Sequence, residues 1–496
     1  MIQSRVTLKS QWLRFLIYRG GKMKVRIDNW GPIEHCEYDL DKDMIVVYGD
    51  NNIGKSYAMQ LIYLYLKNII NYAKNIGMYR PVFYSRENTE VEKFVMDFAM
   101  DDNQNEVDIT DEIIKCMASR LKTDMVQALD NSLRNTFGTY DDIIEGNPRV
   151  SLQVNNGLEL LFFVKEQKIS IKLDMKPVFL KKTSSDFHKS REGKKRLDIY
   201  IFKNNKISSV INLINDKVYS LLSHVSVELL SRVQNVYFLP ASRSGIYTGM
   251  NSFGPILAEL SKNRAYIKGN LQIPSISEPI SDYYMELSTI RIDRRKYFTD
   301  VAQEIEDEIL KGEVTFDTKK KTIMYQSDLV SQPMEMRDVS SMVSEISPIT
   351  AYLKYIVNVY PTDFCVRNEM SSNEGVRPSD IIFIEEPEAH LHPENQVKLM
   401  KIFARLVNKN VKLFMASHSN YVFNELNNRI LAGELNNKNY EPVLMEYKDG
   451  KSCTRDMNID EFGVDDNNFQ DITAQIIEER EVLINGLLKK MSEKGE

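Results

Sequence analysis

A short apolar run, Met44–Tyr48, ends in Gly49-Asp50-Asn51-Asn52-Ile53-Gly54-Lys55-Ser56, and an apolar-rich stretch from Tyr57 to about Lys74 follows without a break. Strand, glycine loop and helix in that order fit the pattern G-x-x-x-x-G-K-[ST], and few folds can host it. The glycines let backbone N–H groups wrap a phosphate chain, Lys55 reaches the terminal phosphates, and the Ser56 hydroxyl takes a place on Mg²⁺. The helix that starts there adds the positive end of its dipole. The loop therefore predicts an α/β chain with ligand-binding strand ends, and ATP with Mg²⁺ as its ligands.

Two other strand ends complement the loop. Ile381-Ile382-Phe383-Ile384 is wholly apolar and ends in Glu385-Glu386-Pro387. In a parallel sheet such an end lies beside the phosphates. Glu385 is placed to hold the Mg²⁺ shell, and Glu386 to orient and deprotonate an attacking water. Phe414-Met415-Ala416-Ser417-His418-Ser419 is a second apolar run, and it ends in a histidine. A neutral imidazole there can contact the terminal phosphate or the water. Because His390 and His392 alternate near Glu386 and Glu388, a zinc site is the competing reading of this region.

Strand and helix signals alternate over most of the 496 residues. This pattern favours a mixed, largely parallel sheet with helices on both faces. The core is split: 23–79 carries the loop, 231–435 carries the acidic pair and His418, and 80–230 is a large α+β insertion. Residues 436–496 read as a small strand pair and a terminal helix. Residues 1–22 read as an extension ahead of Met23, which is an alternative start. Tyr283–Lys311 reads as one long helix, Ile256–Ala265 as a shorter one, and Lys181–Arg196 as a basic loop. A net charge of -6 gives no general attraction for nucleic acid. Four dispersed cysteines fit a reduced, cytoplasmic setting. No apolar run reaches membrane-spanning length.

The set of motifs resembles the ABC-type ATPase clan, in the AAA-type branch related to the OLD, RecF and SMC proteins. The matching residues are Gly49–Ser56, Phe383-Ile-Glu-Glu-Pro-Glu-Ala-His-Leu-His-Pro393, Ala416-Ser-His-Ser419 and the opening Ile27-Asp-Asn-Trp-Gly-Pro-Ile33. The resemblance covers both ends of the split core and leaves the insertion outside. It implies that Ser340 and Ser341 begin a signature helix that meets the nucleotide of a second copy, with Met342 departing from the glycine usual there. It also aligns Leu239-Pro-Ala-Ser-Arg243-Ser-Gly with a family segment in which Arg243 meets phosphate or the acids, or else forms a structural ion pair.

The implied working unit is a head-to-head dimer, or a higher homo-oligomer, that hydrolyses ATP slowly. Relatives often carry a nuclease after this core, and 436–496 is too short for one. The expected role is thus that of an ATPase controlling a separate effector protein, a nuclease, in a bacterial anti-phage pair of the Septu or PARIS kind. The alternative is a RecF- or SMC-like ATPase that binds DNA through Lys181–Arg196 or Arg294-Arg295-Lys296.

Overall fold

In the computed structural model, the described residues are 22–78, 89–101, 103–141, 143, 146–155, 158–183, 192–193, 196–202, 207–251, 276–292, 297–330, 332–357, 379–465 and 477–486. The expected helix at Ile256–Ala265, the triplet Arg294-Arg295-Lys296 and residues 1–21 lie outside them.

An eleven-stranded sheet organises the chain, in the order β11-β15-β16-β3-β17-β18-β2-β1-β5-β6-β7. One half is parallel: β11 (Val233–Leu239), β15 (Ser379–Glu385), β16 (Val411–Ala416), β3 (Met44–Tyr48) and β17 (Tyr440–Lys448). The other half joins β18 (Lys451–Asp456), β2 (Ile33–Asp39), β1 (Lys24–Trp30), β5 (Arg149–Asn155), β6 (Leu158–Lys165) and β7 (Lys168–Met175). Its pairings are antiparallel except β18 with β2. This is the mixed α/β sheet expected from the sequence.

Why the halves differ is visible in their residues. Every residue of β3 and of β15 is buried, as in strands covered on both faces. Their side chains feed two separate cores. Ile45, Val47, Ile381 and Phe383 join the first, while Met44, Val46, Tyr48, Ile382 and Ile384 join the second. By contrast β1 alternates, with Val25 and Ile27 buried and Arg26 exposed.

The first core is closed by α1 (Lys55–Met78), α3 (Thr110–Leu121), α4 (Gln127–Phe137) and α5 (Ile207–Arg232), with α2 (Thr89–Met100) against α5. The second is closed by α6 (Glu278–Ser288), α7 (Thr299–Ile305), α8 (Ser341–Ala351), α9 (Pro393–Val407) and α10 (Asn420–Leu431). From the stretch between α1 and β11, strands β5, β6 and β7 continue the main sheet past β1. A four-stranded sheet forms beside it from β4 (Glu106–Asp108), β8 (Val178–Thr183), β10 (Arg196–Phe202) and β9 (Glu192–Gly193).

Two local expectations change. Tyr283–Lys311 is not one helix: α6 stops at Ser288, α7 starts at Thr299, and a π-helical turn covers Glu306–Leu310. Thr289, Ile290 and Ile292 are weak helix formers, and Ile290 and Phe298 are drawn into the core on either side of the break. Lys181–Arg196 is not wholly a loop either. Lys181 and Lys182 lie in β8 and Arg196 opens β10.

Candidate functional site

The carboxyl ends of the parallel strands collect on one edge, and the register sets their level. Val47 of β3 pairs with Ala416 of β16, which pairs with Glu385 of β15. The glycine loop, the acidic pair and the Ser417-His418 turn therefore leave the sheet side by side, as expected for parallel strands.

Gly49 turns the chain at φ +138°, and an added Cβ would stand 2.5 Å from the Met445 carbonyl oxygen. Asn52 and Gly54 also take positive φ (63° and 93°), so the loop curls back on itself. Ile53 is buried and anchors it, whereas Asp50, Asn51, Asn52 and Ser56 are exposed. Lys55 is buried and donates to the carbonyls of Gly49 (2.8 Å) and Asp50 (2.6 Å). These contacts use two of its three donors. Burial lowers the Lys55 pKa, opposed by the charges of Glu386, Glu388 and Asp50.

Glu385 is buried against α1. Its carboxylate accepts the Ala241 N–H at 3.0 Å and the Gln60 amide at 3.4 Å. Burial pushes its pKa up, while Ala241, Ser56 and Gln60 pull it down. Glu386 is half-buried with φ +43°, and its N–H donates to the Ala416 carbonyl at 3.0 Å. That left-handed turn aims a bulky acid out of the strand line, a conformation a non-glycine residue rarely holds.

His418 lies one turn over, with its side chain 43% exposed. Its Nδ1 is 3.7 Å from Glu388, whose Oε1 accepts the Ser417 hydroxyl (2.6 Å) and the His418 N–H (3.0 Å). The neighbouring histidines have other positions. His392 caps α9 and accepts the Glu394 N–H, and His390 is exposed at φ +61°. Among the described residues no three metal-binding side chains gather in one place.

The structure places Arg243, expected at phosphate, at the acids or in an ion pair, inside the fold against the acidic strand end. Its side chain is 0% exposed and fully engaged. It donates to the carbonyls of Pro240 (3.2 Å), Glu385 (2.8 Å), Glu386 (3.2 Å) and Glu345 (3.1 Å), and lies 3.4 Å from the Glu345 carboxylate. A guanidinium so enclosed bolts the end of β15 to α8. The contact with the acidic segment and the ion pair are both present, through the Glu385 and Glu386 carbonyls and the Glu345 carboxylate.

Ser340 and Ser341 lie elsewhere, at the exposed start of α8, where Ser340 caps the helix by accepting the Val343 N–H. Met342 is half-buried and its sulfur accepts from Asn395 of α9 at 3.2 Å. Sequence reasoning missed Gln60 and Glu345 as parts of this region, and gave Glu388, Ser417 and Ser419 no role beyond their place in the motifs. The spacing of Ser56 and Gln60, one helical turn apart, was the available signal for the first. The serines flanking His418 were the signal for the last two.

A family model described as the AAA ATPase domain matches residues 23–423 of this sequence. The chain belongs to the AAA ATPase domain family. It is thus a P-loop ATPase domain by descent as well as by loop geometry, and 23–423 spans every site residue described above. Comparison with curated proteins returned no match. Similar solved structures include the SMC head domain from Thermotoga maritima, at 9% identity, covering 89% of this chain and 100% of that one, with a TM-score of 0.34. An Smc head domain with an extended coiled coil, bound to the C-terminal domain of ScpA and derived from Pyrococcus furiosus, gives 9% identity, 88% and 96% coverage and a TM-score of 0.35. No helix among the described residues of this AAA ATPase domain is long and apolar enough to cross a membrane.

Proposed function

We propose that the chain binds ATP with Mg²⁺ at the parallel edge, hydrolyses it slowly as a dimer or higher oligomer of itself, and uses the cycle to control a separate effector protein. The observation that carries the nucleotide reading is the glycine loop at the parallel edge, where Lys55 turns back onto the Gly49 and Asp50 carbonyls and the buried Glu385 carboxylate stands against the first turns of the same helix. A hydroxyl (Ser56) and a carboxylate (Glu385) on these two elements are the donor set that Mg²⁺ takes. Gly49 lets the loop turn beside β17, where any Cβ would strike the Met445 carbonyl.

In this reading the backbone N–H groups of 49–54 and the Lys55 ammonium hold the phosphates, and Ser56 and Glu385 hold Mg²⁺. The metal supplies charge neutralisation on the phosphate oxygens when bound. Glu386 leaves the strand at the same edge and takes the proton of the attacking water. His418 fixes the far side of the terminal phosphate. Ser340 and Ser341 present the exposed α8 N-terminus to the nucleotide of a second copy. The effector of this reading is a nuclease of an anti-phage pair, carried by a separate protein.

Direct DNA binding is the less supported reading. Lys181 and Arg196 of the basic stretch are paired with Glu106 and Asp198. Replacing Glu386 by Gln tests the hydrolytic core: turnover should fall about 10²–10⁴-fold with ATP still bound, and wild-type turnover would sink it. The assembly claim is checked by specific activity across a dilution series, where a constant value would count against it. Co-purification with the neighbouring gene product, with and without ATP, tests the effector. Tight, steeply salt-dependent duplex binding without that partner would favour the DNA reading instead.

A further inference from the structure

We propose that Glu388 is a positioning residue that makes the turn after β15 and the turn after β16 one rigid unit, so that His418 is held at a fixed place relative to Glu386. The inference deepens the hydrolytic reading above and rests on it. Glu388 is 4% exposed, yet its two carboxylate oxygens are used unequally. Oε1 accepts both the Ser417 hydroxyl and the His418 N–H, and Oε2 has no hydrogen-bond partner among the described residues. A buried carboxylate oxygen left unpaired is costly, so this arrangement calls for a function beyond packing.

The clamp is one link of a longer chain of bonds. The Ser417 hydroxyl accepts the Ser419 N–H at 3.1 Å, and the Ser419 hydroxyl donates to Gln396 of α9 at 2.6 Å. Gln396 in turn donates to the Leu391 carbonyl at 3.0 Å, and the Leu391 N–H returns to the Glu388 carbonyl at 3.0 Å. The bonds thus close a ring that runs from the acidic turn to the histidine turn and back. Glu386 sits on one side of this ring and His418 on the other. A closed ring of hydrogen bonds holds its members in a single geometry, and a shift of about 1 Å in a catalytic group can cost about 10²-fold in rate.

The Glu388 charge also acts on Lys55. A counter-charge role is therefore the rival explanation, and two variants separate it from the clamp. In E388Q the side-chain amide oxygen still accepts from Ser417 and His418 while the charge is gone; E388A removes both. With the clamp, E388A lowers single-turnover ATP hydrolysis about 10–100-fold and E388Q stays within about threefold of wild type. The Kd of a fluorescent ATP analogue is unchanged within about threefold for both variants. S417A, which breaks the ring while leaving Glu388 in place, falls between them. Equal loss in E388Q and E388A, or a weakened Kd in E388Q, would overturn the clamp in favour of the counter-charge. An unchanged rate in E388A would overturn it as well. Hydrogen exchange at the His418 and Ser419 amides reads the clamp without turnover: E388A should exchange about tenfold faster than wild type, and equal exchange sinks the proposal. A wild-type chain with protected amides and no hydrolysis would instead refute the hydrolytic reading alone.

Discussion

The two halves of the main sheet are built from similar numbers of strands, yet only one carries chemistry. In the parallel half the chain leaves β3, β15, β16 and β11 at the same edge, so Gly49, Glu385, Ser417 and Pro240 are neighbours by construction. In the antiparallel half the ends of β1, β2, β5, β6 and β7 alternate between edges, so successive strand ends do not line up on one edge. Positive φ is no such marker: it occurs at Gly49, Asn52, Gly54, Ser242 and Glu386 around the parallel edge and equally at Asn29, Gly31, Glu166 and Gln167 in the antiparallel half. What sets the parallel half apart is that its strand ends converge on one edge.

The sharpest way to break this comparison is Gly49→Ala. A Cβ at φ +138° and 2.5 Å from the Met445 carbonyl oxygen must displace the loop. ATP binding, measured by calorimetry, should weaken by about 100-fold or more, against about 1 kcal/mol of stability and no loss of binding for Gly450→Ala. Gly450 has φ +86° and open space around it in the β17–β18 turn. Equal effects would mean that the edge has no special geometry.

Arg243 tests how the parallel edge is held. Arg243→Leu strips four carbonyls of their donor and leaves the buried Glu345 carboxylate without its counter-charge, held by the Ser244 N–H on Oε1. Denaturant melts should show about 3–5 kcal/mol of lost stability. Glu345→Gln, which keeps an acceptor at that position, should cost less. A change in ATP affinity without a change in stability would favour the phosphate-contact role.

The smallest effect lies at the seam of the two halves. Glu441 of β17 accepts the Asp39 N–H of β2 at 2.9 and 3.1 Å, and burial pushes its pKa up to about 7. Its folded pKa exceeds the unfolded value, so folding favours the protonated acid. Its contribution is full below about pH 4.5 and is lost as the pH rises through 7. Melting curves of Glu441→Gln should therefore lack this slope, and at pH 8 the variant should exceed wild type by about 2–3 kcal/mol. A parallel pH dependence in the two proteins would remove Glu441 as its source.

The glycine loop, the acidic pair and the histidine turn were all legible in the sequence, because each is a local pattern joined to a fully apolar strand. Met44–Tyr48, Ser379–Glu385 and Val411–Ala416 are short buried runs that only a doubly covered sheet can use. The helix start at Ser340 and Ser341 was also legible, and the structure adds that Ser340 caps it within its own turn. Tertiary structure decided the rest, because it depends on which distant groups meet. Arg243 became a bolt when the end of β15 and Glu345 closed around it. Glu388 became a clamp when parallel pairing brought Ser417 beside it. Strand β17 took its place against β3 although the whole core lies between them in sequence. Local sequence sets the loop and its strands, while the burial of a charge and its choice of partner are settled only when the sheet closes.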